Sequence, residues 1–298
     1  MKVWLGIDVG KTNLRLGVFD ATLRLLERWS VPSGNPQTAG EALHANLLEL
    51  SRRYTVETAG ISLFGPLQTD PKATDYGAIP ESSDALWNGV NLPLLVAETL
   101  RRPVYFDYDV SAGALGEAVL GAGRDTKSFV YLSVGTGIGG VFFRDTLHPG
   151  YAPQLGHMYL PREPDDLTFP GTCRFHGACL QGLASGRALA QRWGMPPEDL
   201  PPEHPAWDLE ARYLARACAN LVYTFAPQRI LLGSSVSSAP DLIARINSYL
   251  PLLLNGFLDP ELRSVYAAQA VVAKAAFTPD SSLLGAALLA RNRAGLVL

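Results

Sequence analysis

The chain has 298 residues, with 25 Lys and Arg against 28 Asp and Glu and a formal net charge of −3. This length exceeds what one hydrophobic core normally supports, so we expect two domains. The near-neutral charge, with no basic block, disfavours a nucleic-acid-binding protein. The chain begins without the long apolar segment of a signal peptide or membrane span, so we expect a soluble cytoplasmic protein with no membrane partner.

The hydrophobic pattern predicts alternating strands and helices. In the first part of the chain these are a hairpin over residues 2–20, a strand over 23–31, a helix over 40–53, a strand over 59–64, a helix over 93–101 and a strand over 104–107. The order then recurs, because a helix over 111–121 leads into a second hairpin over 128–144. This recurrence predicts a duplicated α/β fold.

The second part is predicted to be larger. Its expected elements are helices over 182–193, 209–226, 241–254 and 281–293 and strands over 229–232 and 268–273. We therefore expect a smaller lobe at residues 1–110 and a larger lobe at 111–280, with the segment 281–298 packing back on the first.

Each predicted hairpin has a tip rich in small and hydroxyl residues. The first tip contains Asp8, Gly10, Lys11, Thr12 and Asn13, and the second runs from Gly135 through Thr136 and Gly137 to Gly140. Glycine lets backbone N–H groups converge on an anion, and threonine adds a hydroxyl donor. Two such loops indicate phosphate binding, although either alone is consistent with a tight turn. Gly233 and Ser234 follow a short apolar strand and are a third candidate for close approach to a ligand.

An acidic residue, Asp109, lies between the two loops, after a strand and before a helix. A carboxylate there could accept a proton from a substrate hydroxyl during phosphoryl transfer. The alternative is a helix N-cap, for which aspartate is also well suited.

Four candidate metal ligands lie in an aperiodic loop. They are His157, Cys173, His176 and Cys179. Two thiols and two imidazoles suit tetrahedral Zn²⁺ in a closed, structural site. The alternative is a pair of buried thiols and polar histidines. Cys218, the remaining cysteine, is predicted to be a core residue.

The order of these motifs resembles the ROK family of bacterial sugar kinases, which share the actin-like ATPase (ribonuclease H-like) fold of two lobes with a cleft between them. The resemblance rests on Ile7–Gly10, on Asp109 with Ala112–Glu117 behind it, on Gly135–Gly140, on Gly156-His157 and on Cys173–Cys179. Phe64-Gly65-Pro66 and the Cys-x-x-His-Gly-x-Cys spacing make the zinc-containing fructokinases the most similar branch.

The resemblance implies an ATP-dependent sugar kinase with Mg²⁺, structural zinc and Asp109 as general base, and it suggests a homodimer. Asp8 is then expected near Mg²⁺ and phosphate. The nucleotide contacts are expected from Gly10, Lys11, Thr12, Asn13, Thr136, Gly137, Gly233 and Ser234. The sugar contacts are expected from Trp87, Asn88, Gly89, Asp109, Gln154, His157 and Gln181.

Several positions depart from the family pattern. Gln154 and Gln181 stand where the family usually has glutamates that contact the sugar, and Ser111 replaces an asparagine. A neutral carboxamide accepts a weaker hydrogen bond than a carboxylate. Phosphorylation of fructose to fructose 6-phosphate is the leading hypothesis. A kinase for glucose, mannose or an N-acetylhexosamine and a non-catalytic sugar-binding protein stay open, whereas a transcriptional regulator is disfavoured.

Overall fold

The computed structural model describes residues 1–80, 85–151 and 153–298. The chain divides into two compact units. The first contains Met1–Gly116, the segment around Gly150 and Asp280–Leu298, and the second contains Glu117–Thr146 and Pro153–Pro279.

The first unit is built on a six-stranded sheet. Its strands are β1 (Lys2–Val9), β2 (Asn13–Phe19), β3 (Leu25–Pro32), β4 (Thr55–Leu63), β5 (Val104–Tyr108) and β10 (Leu296–Val297). They lie in the order β10-β5-β4-β1-β2-β3. Its helices are α1 (Pro36–Arg53), α2 (Leu92–Leu100), α9 (Ser281–Asn292) and most of α3 (Asp109–Val119). β1 and β2 form the antiparallel hairpin, and β4 and β5 continue the sheet in parallel.

Local sequence explains where two of these helices begin. The Asn35 side chain accepts the N–H groups of Gln37 and Thr38 at the start of α1. Asn91 caps α2 in the same way through the N–H of Leu94. Both caps satisfy donors that a helix start otherwise leaves unpaired.

The second unit has a four-stranded sheet. Its strands are β6 (Ser128–Val134), β7 (Ile138–Arg144), β8 (Arg229–Gly233) and β9 (Val272–Lys274). They lie in the order β7-β6-β8-β9. Its helices are α4 (Leu180–Ala184), α5 (Gly186–Trp193), α6 (Ala206–Phe225), α7 (Leu242–Leu254) and α8 (Pro260–Ala268). A buried cluster that includes Tyr213, Leu214 and Ile230 forms the core of this unit.

The two sheets repeat one plan, as the sequence predicts. In the first, the β1–β2 hairpin is followed by parallel strands β4 and β5. In the second, the β6–β7 hairpin is followed by parallel strands β8 and β9. The β2-β1-β4-β5 order of one sheet thus matches the β7-β6-β8-β9 order of the other.

Two element predictions require correction. The helix predicted over 182–193 is two helices, because Ser185 is extended and its hydroxyl caps α5 through the N–H of Ala188. The strand predicted over 268–273 begins only at Val272, and helix α8 ends at Ala268. Asp259 caps α8, a start signal that the sequence reasoning missed.

Helix α9 packs directly against the backbone of the first sheet because glycines face it. A Cβ on Gly60 of β4 would lie 1.9 Å from the carbonyl oxygen of Ala286, and one on Gly6 of β1 would lie 2.6 Å from that of Leu283. Thr58 Oγ1 donates to the carbonyl of Ala290 at 2.8 Å. Within the described ranges, no helix is both long and apolar enough to cross a membrane.

Gly60→Ala should destabilise the first unit. The added methyl overlaps the Ala286 carbonyl, and overpacking of this kind costs about 1–3 kcal/mol or more. We expect urea unfolding of Gly60→Ala to give a free energy of unfolding at least about 1 kcal/mol below that of the wild type. Gly34→Ala is the matched control, because a Cβ there meets no atom within 4 Å. Equal stability of the two variants would contradict the packing of α9 described here.

Candidate active site

The first hairpin tip is a tight turn held by a hydrogen bond within its own backbone and by hydrogen bonds from Ser33. The Gly10 N–H donates to the Asn13 carbonyl at 3.0 Å, and the Ser33 N–H donates to the Thr12 carbonyl at 3.0 Å. Ser33 Oγ donates to the Gly10 carbonyl at 2.6 Å. These contacts hold the backbone of the turn, and Thr12 and Asn13 are exposed at its tip.

Asp8, near the end of β1, is held through both carboxylate oxygens. Ser62 Oγ donates to Oδ1 at 2.8 Å, and the Arg15 guanidinium lies 3.1 Å from Oδ2. Arg15 also contacts Asp280 at 3.0 Å. Burial raises the pKa of Asp8 above its ordinary value, while Arg15 and Ser62 oppose that rise. The carboxylate orientation is therefore fixed from two sides.

Asp109 lies where β5 ends and α3 begins. Its Oδ1 accepts the N–H of the next residue, Val110, at 2.9 Å, whereas a capping side chain accepts an N–H two or three residues further on. Burial and then repulsion from the Asp8 carboxylate raise the pKa of Asp109 to about 7, and the Val110 N–H and Lys11 oppose the rise. This carboxyl group can gain or lose a proton near neutral pH.

Lys11 folds toward the same region. Its Nζ lies 5.5 Å from the centroid of the Phe64 ring, within the range of a cation–π contact. Its charge also acts to lower the pKa of Asp109. The lysine therefore adds positive charge near the Asp109 carboxyl group.

The second hairpin tip lies beside Gly233 and Ser234. A Cβ on Gly135 would be 2.5 Å from Ser234 Oγ, so only glycine fits there without displacing that side chain. The Gly135 N–H donates to the Gly137 carbonyl at 2.9 Å, which closes the turn. Thr136 is exposed at the tip. The structure thus brings together all four nucleotide-binding candidates of the second unit.

The two glutamines occupy different settings. Gln181 Oε1 accepts the N–H of Ile138 at 3.0 Å, at the edge of the second tip. Gln154 is exposed, and its backbone carbonyl accepts the N–H of His157 at 2.9 Å. The structure therefore places Gln181 against the phosphate-loop candidate and Gln154 beside a metal-ligand candidate.

In the predicted sugar-binding segment at 87–89, one residue is buried in the core and two are exposed at the surface. Trp87 is completely buried, and its ring meets Phe64 edge-on at a centroid distance of 5.1 Å. Asn88 and Gly89 are not buried. The Gly89 N–H donates to the Ile79 carbonyl at 2.7 Å, and its φ of +78° favours glycine. Trp87 anchors this turn through packing.

The four candidate metal ligands converge. The donor atoms of His157, Cys173, His176 and Cys179 all lie within 4.8 Å of one another. His157 Nδ1 is 3.4 Å from Cys179 Sγ and 3.7 Å from Cys173 Sγ, and His176 Nδ1 is 3.6 Å from Cys173 Sγ. Tetrahedral zinc with Zn–S of about 2.3 Å and Zn–N of about 2.0 Å places sulfur and nitrogen about 3.5 Å apart. The donor set therefore fits zinc.

Sequence reasoning missed several polar residues around these sites. Arg15 stands directly opposite Asp8 in the hairpin register, so a cross-strand reading of the hairpin could have found it. Arg28 binds both oxygens of Asp280 at 2.7 and 2.9 Å, and that pairing has no local signal. Asp107 is buried and accepts the N–H groups of Tyr108 and Gly150. Burial raises the pKa of Asp107 to about 6.

The sequence profile of the ROK family matches residues 4–293. The chain belongs to the ROK family. It is 32% identical over 262 residues to a fructokinase of Lactococcus lactis subsp. cremoris, which covers 87% of this chain and 88% of the relative.

Two solved structures of the ROK family share the fold. A ROK hexokinase from Thermus thermophilus is 27% identical, with a TM-score of 0.70 over 98% of each chain. A ROK glucokinase from Streptomyces griseus, in complex with glucose and AMPPNP, is 23% identical, with a TM-score of 0.75 over 97% of this chain and 99% of that one. These matches and the repeated sheet order confirm the predicted duplicated α/β fold.

Proposed function

We propose that this ROK protein transfers the γ-phosphoryl group of ATP to a hexose hydroxyl, with fructose as the acceptor and fructose 6-phosphate as the product. The observation that carries the proposal is the pKa of the Asp109 carboxyl group, which is raised to about 7. Asp109 directly follows strand β5 and lies between the two loops in the sequence. The fructokinase relative supports fructose as the acceptor. Glucose, mannose and N-acetylhexosamines are the alternative acceptors, and a non-catalytic sugar-binding protein is the alternative function.

In this proposal Asp109 accepts the proton of the attacking hydroxyl through its carboxylate. Phosphoryl transfer depends mainly on positioning and on compensation of charge on the phosphates. The hydroxyls of Thr12 and Thr136 and the backbone N–H groups of Asn13, Gly137, Gly233 and Ser234 are the proposed donors to the nucleotide. Gly10 belongs to the same proposed site, and its own N–H closes the first turn. Lys11 adds a cation near the base. These groups are of the kind that binds phosphate without covalent chemistry.

Asp8 is the proposed protein contact for Mg²⁺. Mg²⁺ prefers oxygen ligands and is held by one or two carboxylates together with phosphates. Asp8 fits this role, because Ser62 and Arg15 fix its carboxylate in one orientation. When bound with ATP, the ion would neutralise phosphate charge.

The proposed zinc site orders the loop between β7 and α4. The thiol and imidazole donors fit a closed tetrahedral site, and metal ligation contributes folding free energy to the segment that carries the ligands. His157 directs Nδ1 at both thiols. Its opposite ring edge is the proposed sugar contact, along with Asn88, Gly89 and Gln154. A homodimer and a cytoplasmic location are further predictions from the family resemblance.

Asp109→Asn should abolish most of the activity. A coupled ADP-release assay with fructose, glucose, mannose and N-acetylglucosamine should show turnover in the wild type. Loss of the base should lower kcat by about 10²–10⁴-fold. The wild-type kcat/KM should rise with pH through about 7, because only the ionised carboxylate of Asp109 accepts a proton.

Asp107→Asn serves as the control for this assay, since Asp107 is a neighbouring buried carboxyl group that accepts backbone N–H groups. The kcat of Asp107→Asn should fall less than that of Asp109→Asn. The kcat/KM of Asp107→Asn should still rise with pH through about 7. Absence of turnover on every hexose would refute the kinase proposal. Full activity of Asp109→Asn would refute the assignment of the base.

Elemental analysis should find about one zinc ion per chain, as expected for one tetrahedral set of four ligands. Cys173→Ala should lose the metal and lower the melting temperature. Cys218→Ala should keep it, because Cys218 is a buried core residue outside the ligand cluster. Wild-type protein without bound metal, or equal metal loss in both variants, would contradict the zinc site.

A further inference from the structure

The second hairpin tip is held by the segments that carry the candidate metal ligands and by the start of α5. Gln181 Oε1 accepts the Ile138 N–H at 3.0 Å. The Gly186 N–H donates to the Gly135 carbonyl at 2.7 Å. Gly156 lies against the Ile138 carbonyl so closely that a Cβ would stand 1.8 Å from the oxygen. Backbone groups at both ends of the tip are therefore fixed by three separate neighbours.

Two of these neighbours lie next to the metal-ligand candidates along the chain. Gly156 immediately precedes His157, and Gln181 follows Cys179 by two residues. The Leu180 N–H donates to the Met158 carbonyl at 2.8 Å, which joins the two segments to each other. The backbone on the N-terminal side of Gln181 is thus held by a hydrogen bond between the two segments that carry candidate metal ligands.

Gln181 alone among these neighbours reaches the tip through a side chain. Its Oε1 lies 2.8 Å from the point that a Cβ on Gly137 would occupy, so the carboxamide lies directly against Gly137. Ile138 is buried, and a buried backbone N–H without an acceptor is costly. If the Gln181 acceptor were removed, the tip would have to rearrange to satisfy this amide.

We propose that Gln181 is a positioning residue for the second phosphate loop and that it sets nucleotide affinity. It acts by fixing the Ile138 amide, and thereby the conformation of Thr136 and Gly137. This inference rests on the nucleotide-binding role proposed above for that loop. It differs from the expectation drawn from the family resemblance, in which this position contacts the sugar.

The test compares Gln181→Leu with Gln181→Glu. Leucine removes the acceptor, whereas a carboxylate retains one for the same N–H. Isothermal titration with MgADP should show a Kd raised about tenfold for Gln181→Leu, the effect of losing one hydrogen bond of typical strength. Gln181→Glu should stay within about twofold of the wild type. In the coupled assay, KM for ATP should rise in Gln181→Leu while KM for fructose is unchanged.

Hydrogen exchange supplies a readout that does not require turnover or bound nucleotide. Peptides covering residues 135–138 should exchange faster in Gln181→Leu and at the wild-type rate in Gln181→Glu. Metal content should be equal in all three proteins, which separates loop positioning from loss of the metal site.

The outcomes separate this inference from the kinase proposal. A wild type that binds MgADP and shows the Gln181→Leu effect but phosphorylates no sugar would refute the kinase proposal and support the inference. A raised KM for fructose with unchanged nucleotide affinity and unchanged exchange at 135–138 would overturn the inference in favour of a sugar contact. Failure of Gln181→Glu to restore affinity would also overturn it.

Discussion

The candidate site depends on the burial of the Asp109 carboxyl group near a second carboxyl group, that of Asp8. Burial and then repulsion from Asp8 raise the pKa of Asp109. An isolated buried charge pair of like sign is unfavourable, and the surrounding cations offset this cost. Arg15 contacts Asp8, and Lys11 opposes the rise in the pKa of Asp109. The result is a carboxyl group with a pKa of about 7, the property required of the proposed base.

The two hairpin tips occupy equivalent places in the duplicated fold, but different neighbours hold them. In each sheet the first strand of the hairpin, β1 or β6, also pairs with a parallel strand, β4 or β8. The first tip is held by Ser33 and its neighbouring backbone, and the second by Gln181, Gly156 and Gly186. Gly156 and Gln181 come from the segments that carry the candidate zinc ligands, and Gly186 begins α5. A structural metal at that site would thus stabilise both the loop that carries its ligands and two of the contacts of the proposed phosphate loop.

Much of this arrangement is predictable from the sequence because its signals are local. Gly- and Thr-rich tips between apolar strands predicted both hairpins, and the clustered Cys and His residues predicted the convergence that the structure shows. The break at Ser185 was missed, because its capping hydroxyl interrupts an otherwise helical pattern. The contacts of Asp280 with Arg28 and of Gln181 with Ile138 join residues that are distant in sequence. Such pairings depend on the tertiary fold, which no short-range pattern encodes.

The pKa of Asp109 can be measured by ¹³C NMR on protein labelled at the aspartate carboxyl carbons, with Asp109→Asn used to assign the signal. We predict a midpoint at about pH 7, which should fall when Asp8→Asn removes the neighbouring negative charge. A midpoint near 4, the ordinary value for aspartate, that does not respond to Asp8→Asn would contradict this account of the base.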